Sequence, residues 1–379
     1  MYPLATHTAP QFLLDRLAGK RVVVCVGSGG VGKTTISAAL ALALAQRGQR
    51  VAVVTIDPAN RLAAALGLDE LASDPHRIDP AVLGAQGIEL GDGGELWAMM
   101  LDAKRTLDQI VTRLEPDPDR RKTILENPVY RELSTAVAGS HELSAIAKVY
   151  ELHEEHEFDT IVLDTPPSRN ALEFLDAPGR LLAFMEGRAL QVFLAPSGLT
   201  ARLFGRGTGI VFAIFARITG IDLLGELSRF FAAVSGVIDG FGDQTRGVAA
   251  LLRDPTTGFV IVTSPEPEPA DEAVHLASHL DAAGMSRAGL IVNRVQRDGL
   301  HGHTRKEVTR LLAPELGEAL AGRVAANLAE VDALVRRDAA TVERLANELS
   351  EPDPVVVGQL DEDVCDLAGL LRIAEQLLD

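Results

Sequence analysis

The chain has 379 residues, enough for two domains or for one large α/β domain carrying an insertion. Apolar residues make up 47% and charged ones 23%, the balance of an ordinary globular fold with a sizeable core. A net charge of −17 argues against a nucleic-acid or anionic-membrane surface, and only two cysteines argue against a disulfide framework, which points to a reducing cytoplasm.

Residues 1–20 read as a polar lead-in with a short amphipathic turn around Phe12 to Leu17, without the basic and apolar regions of a signal peptide. Val22-Val23-Val24-Cys25-Val26 is an apolar, β-branched run expected to form a strand. Gly27-Ser28-Gly29-Gly30-Val31-Gly32-Lys33-Thr34-Thr35 follows, and an Ala/Leu pattern from Thr34 to Ala45 then reads as a helix closed by Gly48. The spacing G-x-x-x-x-G-K-T between a strand and a helix is that of a phosphate-binding loop. Its glycines let the backbone N–H groups of Gly29, Gly30, Val31, Gly32 and the helix start through Thr35 converge on phosphate oxygens. Lys33 is expected to reach the β- and γ-phosphates, and the Thr34 hydroxyl to ligate Mg²⁺.

Val51–Ile56 is a second fully apolar strand, ending at Asp57-Pro58-Ala59-Asn60-Arg61-Leu62. Carboxyl ends of parallel strands hold ligands, yet Asp-Pro also begins ordinary turns, so the residues alone leave the role of Asp57 open. Residues 69–95 are loop-rich and acidic, Leu96–Leu101 reads as another strand, and Asp102–Tyr150 alternates helical patterns with breaks at Pro116, Pro118 and Pro128. Phe158–Leu163 is a third core strand, ending at Asp164, which in the Walker-B manner should hold Mg²⁺ through a bound water. From about Leu181 to Leu252 eight of the twelve phenylalanines gather among glycines with helical spacing, which suggests an inserted helical subdomain. Strands resume at Gly258–Thr263 and Gly289–Asn293. Val324, Leu328, Val331, Val335, Val342, Leu345 and Leu349 then keep a heptad rhythm in which Asp338 fills one seam position, either against the chain's own domain or against a partner. A short strand at Pro354–Gly358 and a helix to Leu378 close the chain. No run approaches the about 20 apolar residues of a membrane span. The expected fold is α/β, a doubly wound and mostly parallel sheet of the P-loop NTPase type with an inserted helical subdomain. Its domains are 1–180 (core, first part), 181–252 (helical insertion) and 253–379 (core, second part, with a helical excursion about 305–350).

The ordered motifs G-x-G-G-V-G-K-T-T, T-I-D-P-A-N-R-L and F-D-T-I-V-L-D-T-P-P-S resemble those of the arsenite-pump and tail-anchored-protein-targeting (ArsA-like) ATPases, deviant-Walker P-loop NTPases. The likeness takes in Gly139, Glu142 and Leu290-Ile291-Val292-Asn293, and so spans residues 20–300. It implies that Asp57 is the switch I carboxylate polarising the attacking water, that Asp164–Asn170 is switch II, and that Asn293 reads adenine. Asn293-Arg294-Val295-Gln296 lacks the aspartate of a guanine-reading N-K-x-D, which favours ATP over GTP.

The chain departs from this family in several places. Cys25 and Cys365 cannot build a metalloid-binding cluster, and no Cys-x-x-Cys pair is present to clamp a dimer through zinc. The insertion holds one methionine, Met185, where client grooves of the family are methionine-rich, and His301 and His303 read as solvated rather than as ligands. Ser28 stands where the family carries a lysine that reaches phosphates bound in the other subunit. Arg61 or Arg169 would supply that cation within the chain, a lysine-bearing paralogue would supply it in a mixed dimer, or Ser28 is a tolerated loop residue in an ordinary slow ATPase. The resemblance therefore implies a Mg²⁺-dependent ATPase, a homodimer or a heterodimer with such a paralogue, acting on a hydrophobic client or a membrane partner. Alternatives are the energising subunit of an anion or metabolite transporter, and a small-molecule ligase on the same fold. A non-hydrolysing module is disfavoured by intact Lys33, Thr34, Asp57 and Asp164.

Overall fold

The computed structural model describes residues 13, 15–56, 61–68, 70–128, 130–131, 134, 140–165, 171–185, 233–234, 237–297, 299–300, 302–360, 362–364 and 366–378. The apolar runs pair into an eight-stranded sheet of order β3-β4-β2-β5-β1-β6-β7-β8. Its strands are β1 (Val22–Val26), β2 (Arg50–Thr55), β3 (His76–Arg77), β4 (Glu95–Met100), β5 (Thr160–Asp164), β6 (Thr257–Thr263), β7 (Arg287–Val295) and β8 (Val355–Gly358). All pairings are parallel except that of β3 with β4. β1, β5 and β6 are buried along their whole length, which is why their sequences run apolar without alternation. β3 lies in the segment expected to be loop; its two exposed polar residues carry no hydrophobic signal.

The described helices are α1 (Lys33–Gln46), α2 (Arg61–Ala65), α3 (Pro80–Ala85), α4 (Ala103–Leu114), α5 (Pro118–Glu126), α6 (Ser140–Glu155), α7 (Ala171–Met185), α8 (Ile238–Leu251), α9 (Pro267–Ala282), α10 (Arg305–Leu316), α11 (Glu318–Glu348) and α12 (Leu367–Leu378). α1 is buried on all sides from Ile36 to Ala45, because α12 covers it with Leu370, Ile373, Ala374 and Leu377. A helix so enclosed has no polar face to display, which accounts for its unbroken Ala/Leu pattern. None of the helices among the described residues is long and apolar enough to cross a membrane.

The chain divides into two compact units. The first comprises Met1–Met100, His156–Leu172 and Arg253–Asp379 and holds the sheet. The second is helical and comprises Leu101–Glu155 and Glu173–Leu252. It therefore includes a stretch before the third core strand as well as the phenylalanine-rich one, because α4, α6 and α8 pack on one another. Residues 186–232 lie outside the described residues, and with them six of the eight phenylalanines of that stretch. In the first unit, the heptad stripe falls on the 31-residue α11, which packs against α10, α9 and β7 of its own unit and buries Ala321, Ala325, Asp338 and Leu345.

Within the helical unit, Glu151 bridges Arg113 at 2.6 Å and Lys148 at 3.0 Å. Burial alone would raise its carboxyl, but the hydrogen bonds and charges of these two cations hold it below the ordinary carboxylate range. A depressed folded value contributes stability that is present above the unfolded value and lost as pH falls through the folded one. The protection of the amides of residues 140–155, exchange being corrected for its intrinsic pH dependence, should therefore fall as pH drops below the ordinary carboxylate range, and Glu151→Gln should flatten that dependence; an unchanged profile in the variant would contradict the pairing.

Candidate active site

β1 can run into the loop only because the next residue has no side chain: a Cβ on Gly27 would lie 1.9 Å from the Val262 carbonyl oxygen of β6. Gly30 (φ 81°) and Gly32 (φ 91°) adopt the left-handed conformation that other residues avoid. Left-handed glycines directly before a helix start are the backbone geometry from which anion-binding loops are built.

Lys33 is buried, and its ammonium group donates to the carbonyls of Gly27 at 3.0 Å and Ser28 at 2.8 Å. These bonds draw the charge back across the loop it follows. The Thr34 hydroxyl donates to Asp164 Oδ2 at 2.7 Å, and the Thr55 hydroxyl donates to the same oxygen at 2.8 Å. Thr55, Asp164 and Cys25 stand abreast in the register of β2, β5 and β1, at the carboxyl edge of the sheet. The Thr165 hydroxyl donates to the Cys25 carbonyl at 2.8 Å. Burial, reinforced by the Asp164 charge, pushes the Cys25 thiol up to about 12, so it stays protonated and is no nucleophile.

Asn293 comes to the same loop from β7. Its side chain is buried, Nδ2 donates to the Val31 carbonyl at 2.8 Å, and a Cβ on Gly32 would approach that nitrogen to 2.4 Å. Gly29 and Gly30 at the loop tip are exposed, and Thr35 is half-buried on the first turn of α1. Ser28 is half-buried, with Oγ enclosed and making no hydrogen bond. Arg61 opens α2 and is exposed. Asp57, Gly139, Arg169, Asn170, His301, Cys365 and the Glu142 side chain lie outside the described residues. Thr55 was not anticipated. Aligning the second and third apolar strands by their aspartate ends brings a strand-end hydroxyl near Asp164, which was the available signal.

Backbone donors at a helix start, a lysine, and a hydroxyl beside a carboxylate suit a triphosphate with a hard divalent cation such as Mg²⁺. The parallel sheet and this loop define a P-loop NTPase. The chain belongs to the anion-transporting ATPase family, whose model matches residues 20–304. It is 26% identical over 291 residues to "ATPase GET3" of Malassezia globosa, covering 75% of each chain. It is also 26% identical to "ATPase GET3A" of Arabidopsis thaliana over 297 residues, 76% of this chain and 70% of that one. To the "Putative arsenical pump-driving ATPase 1" of Aquifex aeolicus it is 26% identical over 278 residues, 73% of this chain and 63% of that protein's length. Its enzymatic class is accordingly ATP hydrolase.

Gly32→Ala would strain a left-handed position and push on the Asn293 amide. Titration with a fluorescent ATP analogue should show affinity lowered about tenfold or more; wild-type affinity would contradict the close packing of loop and β7.

Proposed function

We propose that this chain is a Mg²⁺-dependent ATPase whose nucleotide-driven switch acts on a helical client- or partner-binding surface. The observation that carries the reading is the convergence of Lys33, Thr34, Thr55 and Asp164 on the glycine loop. Mg²⁺, when bound, would neutralise charge on the phosphate oxygens, with Thr34 as ligand and Asp164 acting through a water. Lys33 exchanges its loop carbonyls for β- and γ-phosphate oxygens. Asp57 accepts a hydrogen bond from the water that attacks the γ-phosphorus, and ADP leaves with the bridging oxygen. Asn293 reads adenine: with Nδ2 committed to Val31, its carbonyl Oδ1 remains to accept from the adenine amino group. Ordering of switch I at Asp57 and switch II at Asp164–Asn170 by the γ-phosphate, and their release on hydrolysis, would transmit the nucleotide state.

Ser28 offers no charge, so the transition-state cation comes from Arg61 or Arg169 in a homodimer, or from the lysine of a paralogue in a mixed dimer. Among partners, a hydrophobic client fits the helical unit. A second reading, the energising subunit of an anion or metabolite transporter in the cytoplasm, is favoured by the family's description and by the Aquifex relative's name. Pull-down with an Asp57→Asn form trapped with ATP separates a membrane partner from a soluble client.

Lys33→Ala should weaken triphosphate binding, whereas Asp57→Asn should bind ATP and lose turnover. Hydrolysis at the wild-type rate by Asp57→Asn would remove the switch I assignment. Losing a transition-state cation costs about 10³–10⁵ in rate. Negligible turnover by the pure chain, rescued by Ser28→Lys, supports the mixed dimer; brisk turnover abolished in Arg169→Ala contradicts it.

A further inference from the structure

Pairing of β7 with β8 slips by one residue: Val292 lies opposite Val356, but Val295 lies opposite Gly358. Three steps along β7 thus match two along β8, which is a β-bulge. Arg294 sits within it at φ 63°, a left-handed conformation that is uncommon for a residue other than glycine. Bulges re-aim side chains, and strained backbone of this kind persists only where its surroundings impose it. The residue immediately before Arg294 is Asn293, whose amide is turned onto the Val31 carbonyl.

The backbone that leaves the bulge is bonded to α11. Asp338 interrupts the apolar stripe of that helix, yet it is completely buried. Its Oδ2 accepts from the Gln296 N–H at 3.0 Å, and its Oδ1 accepts from Arg337 Nε at 3.0 Å and Nη2 at 2.7 Å. One turn and a half earlier, Asp332 Oδ1 accepts from the Leu300 N–H at 3.3 Å. On the β8 side, Arg297 donates to the Val356 carbonyl and the Gln359 N–H donates to the Val295 carbonyl at 2.9 Å. The backbone leaving the bulge is thereby held from both flanks. A carboxylate enclosed in an apolar seam is unfavourable unless charge and hydrogen bonds compensate it, and Asp338 has both. A leucine at that position would simply continue the stripe.

We propose that Asp338 is a positioning residue for the nucleotide base. By accepting the Gln296 N–H it maintains the Asn293–Arg294 bulge, and the bulge keeps the Asn293 amide against the phosphate loop. This rests on the assignment of Asn293 as the base-reading residue. With Nδ2 bound to Val31, the orientation of the amide is settled, and Oδ1 is the atom presented to the base. An acceptor there pairs with the amino group of adenine and opposes the O6 acceptor of guanine. Helix α11 would thus contribute to base discrimination without touching the nucleotide.

The test is equilibrium binding of fluorescent ATP and GTP analogues to the full chain, read as the ratio of the two affinities, with thermal stability recorded beside it. Asp338→Leu should narrow the preference for ATP by about 5- to 10-fold, the effect of losing the one neutral hydrogen bond between Asn293 Oδ1 and the adenine amino group. Asp338→Asn should retain most of it, because the amide oxygen still accepts from Gln296. Arg294→Val, whose β-branched side chain resists a left-handed backbone, should narrow the ratio with Asp338 intact, and decides alone if Asp338→Leu does not fold. A merely structural Asp338 would lower stability and leave the ratio unchanged. Wild-type ratios in both Asp338→Leu and Arg294→Val, with the ratio abolished in Asn293→Ala, would overturn the positioning role alone. A wild-type ratio in Asn293→Ala would overturn the base-reading assignment and the inference with it.

Discussion

A single carboxylate oxygen, Oδ2 of Asp164, receives hydroxyl hydrogen bonds from two segments that are far apart in sequence, Thr34 of α1 and Thr55 of β2. The arrangement requires β2, β5 and β1 to end level with one another, which their parallel register provides. It also requires the phosphate loop to turn tightly enough to bring the start of α1 back over β5. Asp164 is almost fully enclosed, so these hydrogen bonds act in a medium of low polarity where each counts for more than it would in water. An unpaired carboxylate there would be costly, and the two hydroxyls and the sheet edge are mutually dependent.

The same loop is constrained from its other side. Gly27 lies against the backbone of β6 and Gly32 against the side chain of Asn293, so both positions exclude a Cβ. Strands β5 and β6 flank β1, and ligands of doubly wound sheets bind where the connections leave in opposite directions from such a central strand. The glycine loop, the carboxylate and the amide of Asn293 therefore meet at one edge as a consequence of strand order.

The parallel strands were legible in the sequence because burial on both faces demands uninterrupted apolar residues, as in Val22–Val26 and Phe259–Val262. The loop was legible because its chemistry requires specific residue types at fixed spacing. Two exposed residues of β3 gave no such pattern. The helical unit extends back to Leu101 because helix packing, rather than the change of composition near residue 181, sets its limits. Thr55 escaped notice since its role depends on register with β5. Asp338 stood out only as an interruption of a stripe; the backbone N–H that explains it belongs to another strand's exit, 42 residues away. Local propensity cannot report contacts of that range.

Calorimetric titration of the wild-type chain with ATP, in the presence and absence of Mg²⁺, tests most directly whether the Thr34–Asp164 pair and the glycine loop form one nucleotide site. Stoichiometric binding, tightened by Mg²⁺ about tenfold or more, is the result the account predicts. Absence of ATP binding, or an affinity indifferent to Mg²⁺, would contradict it.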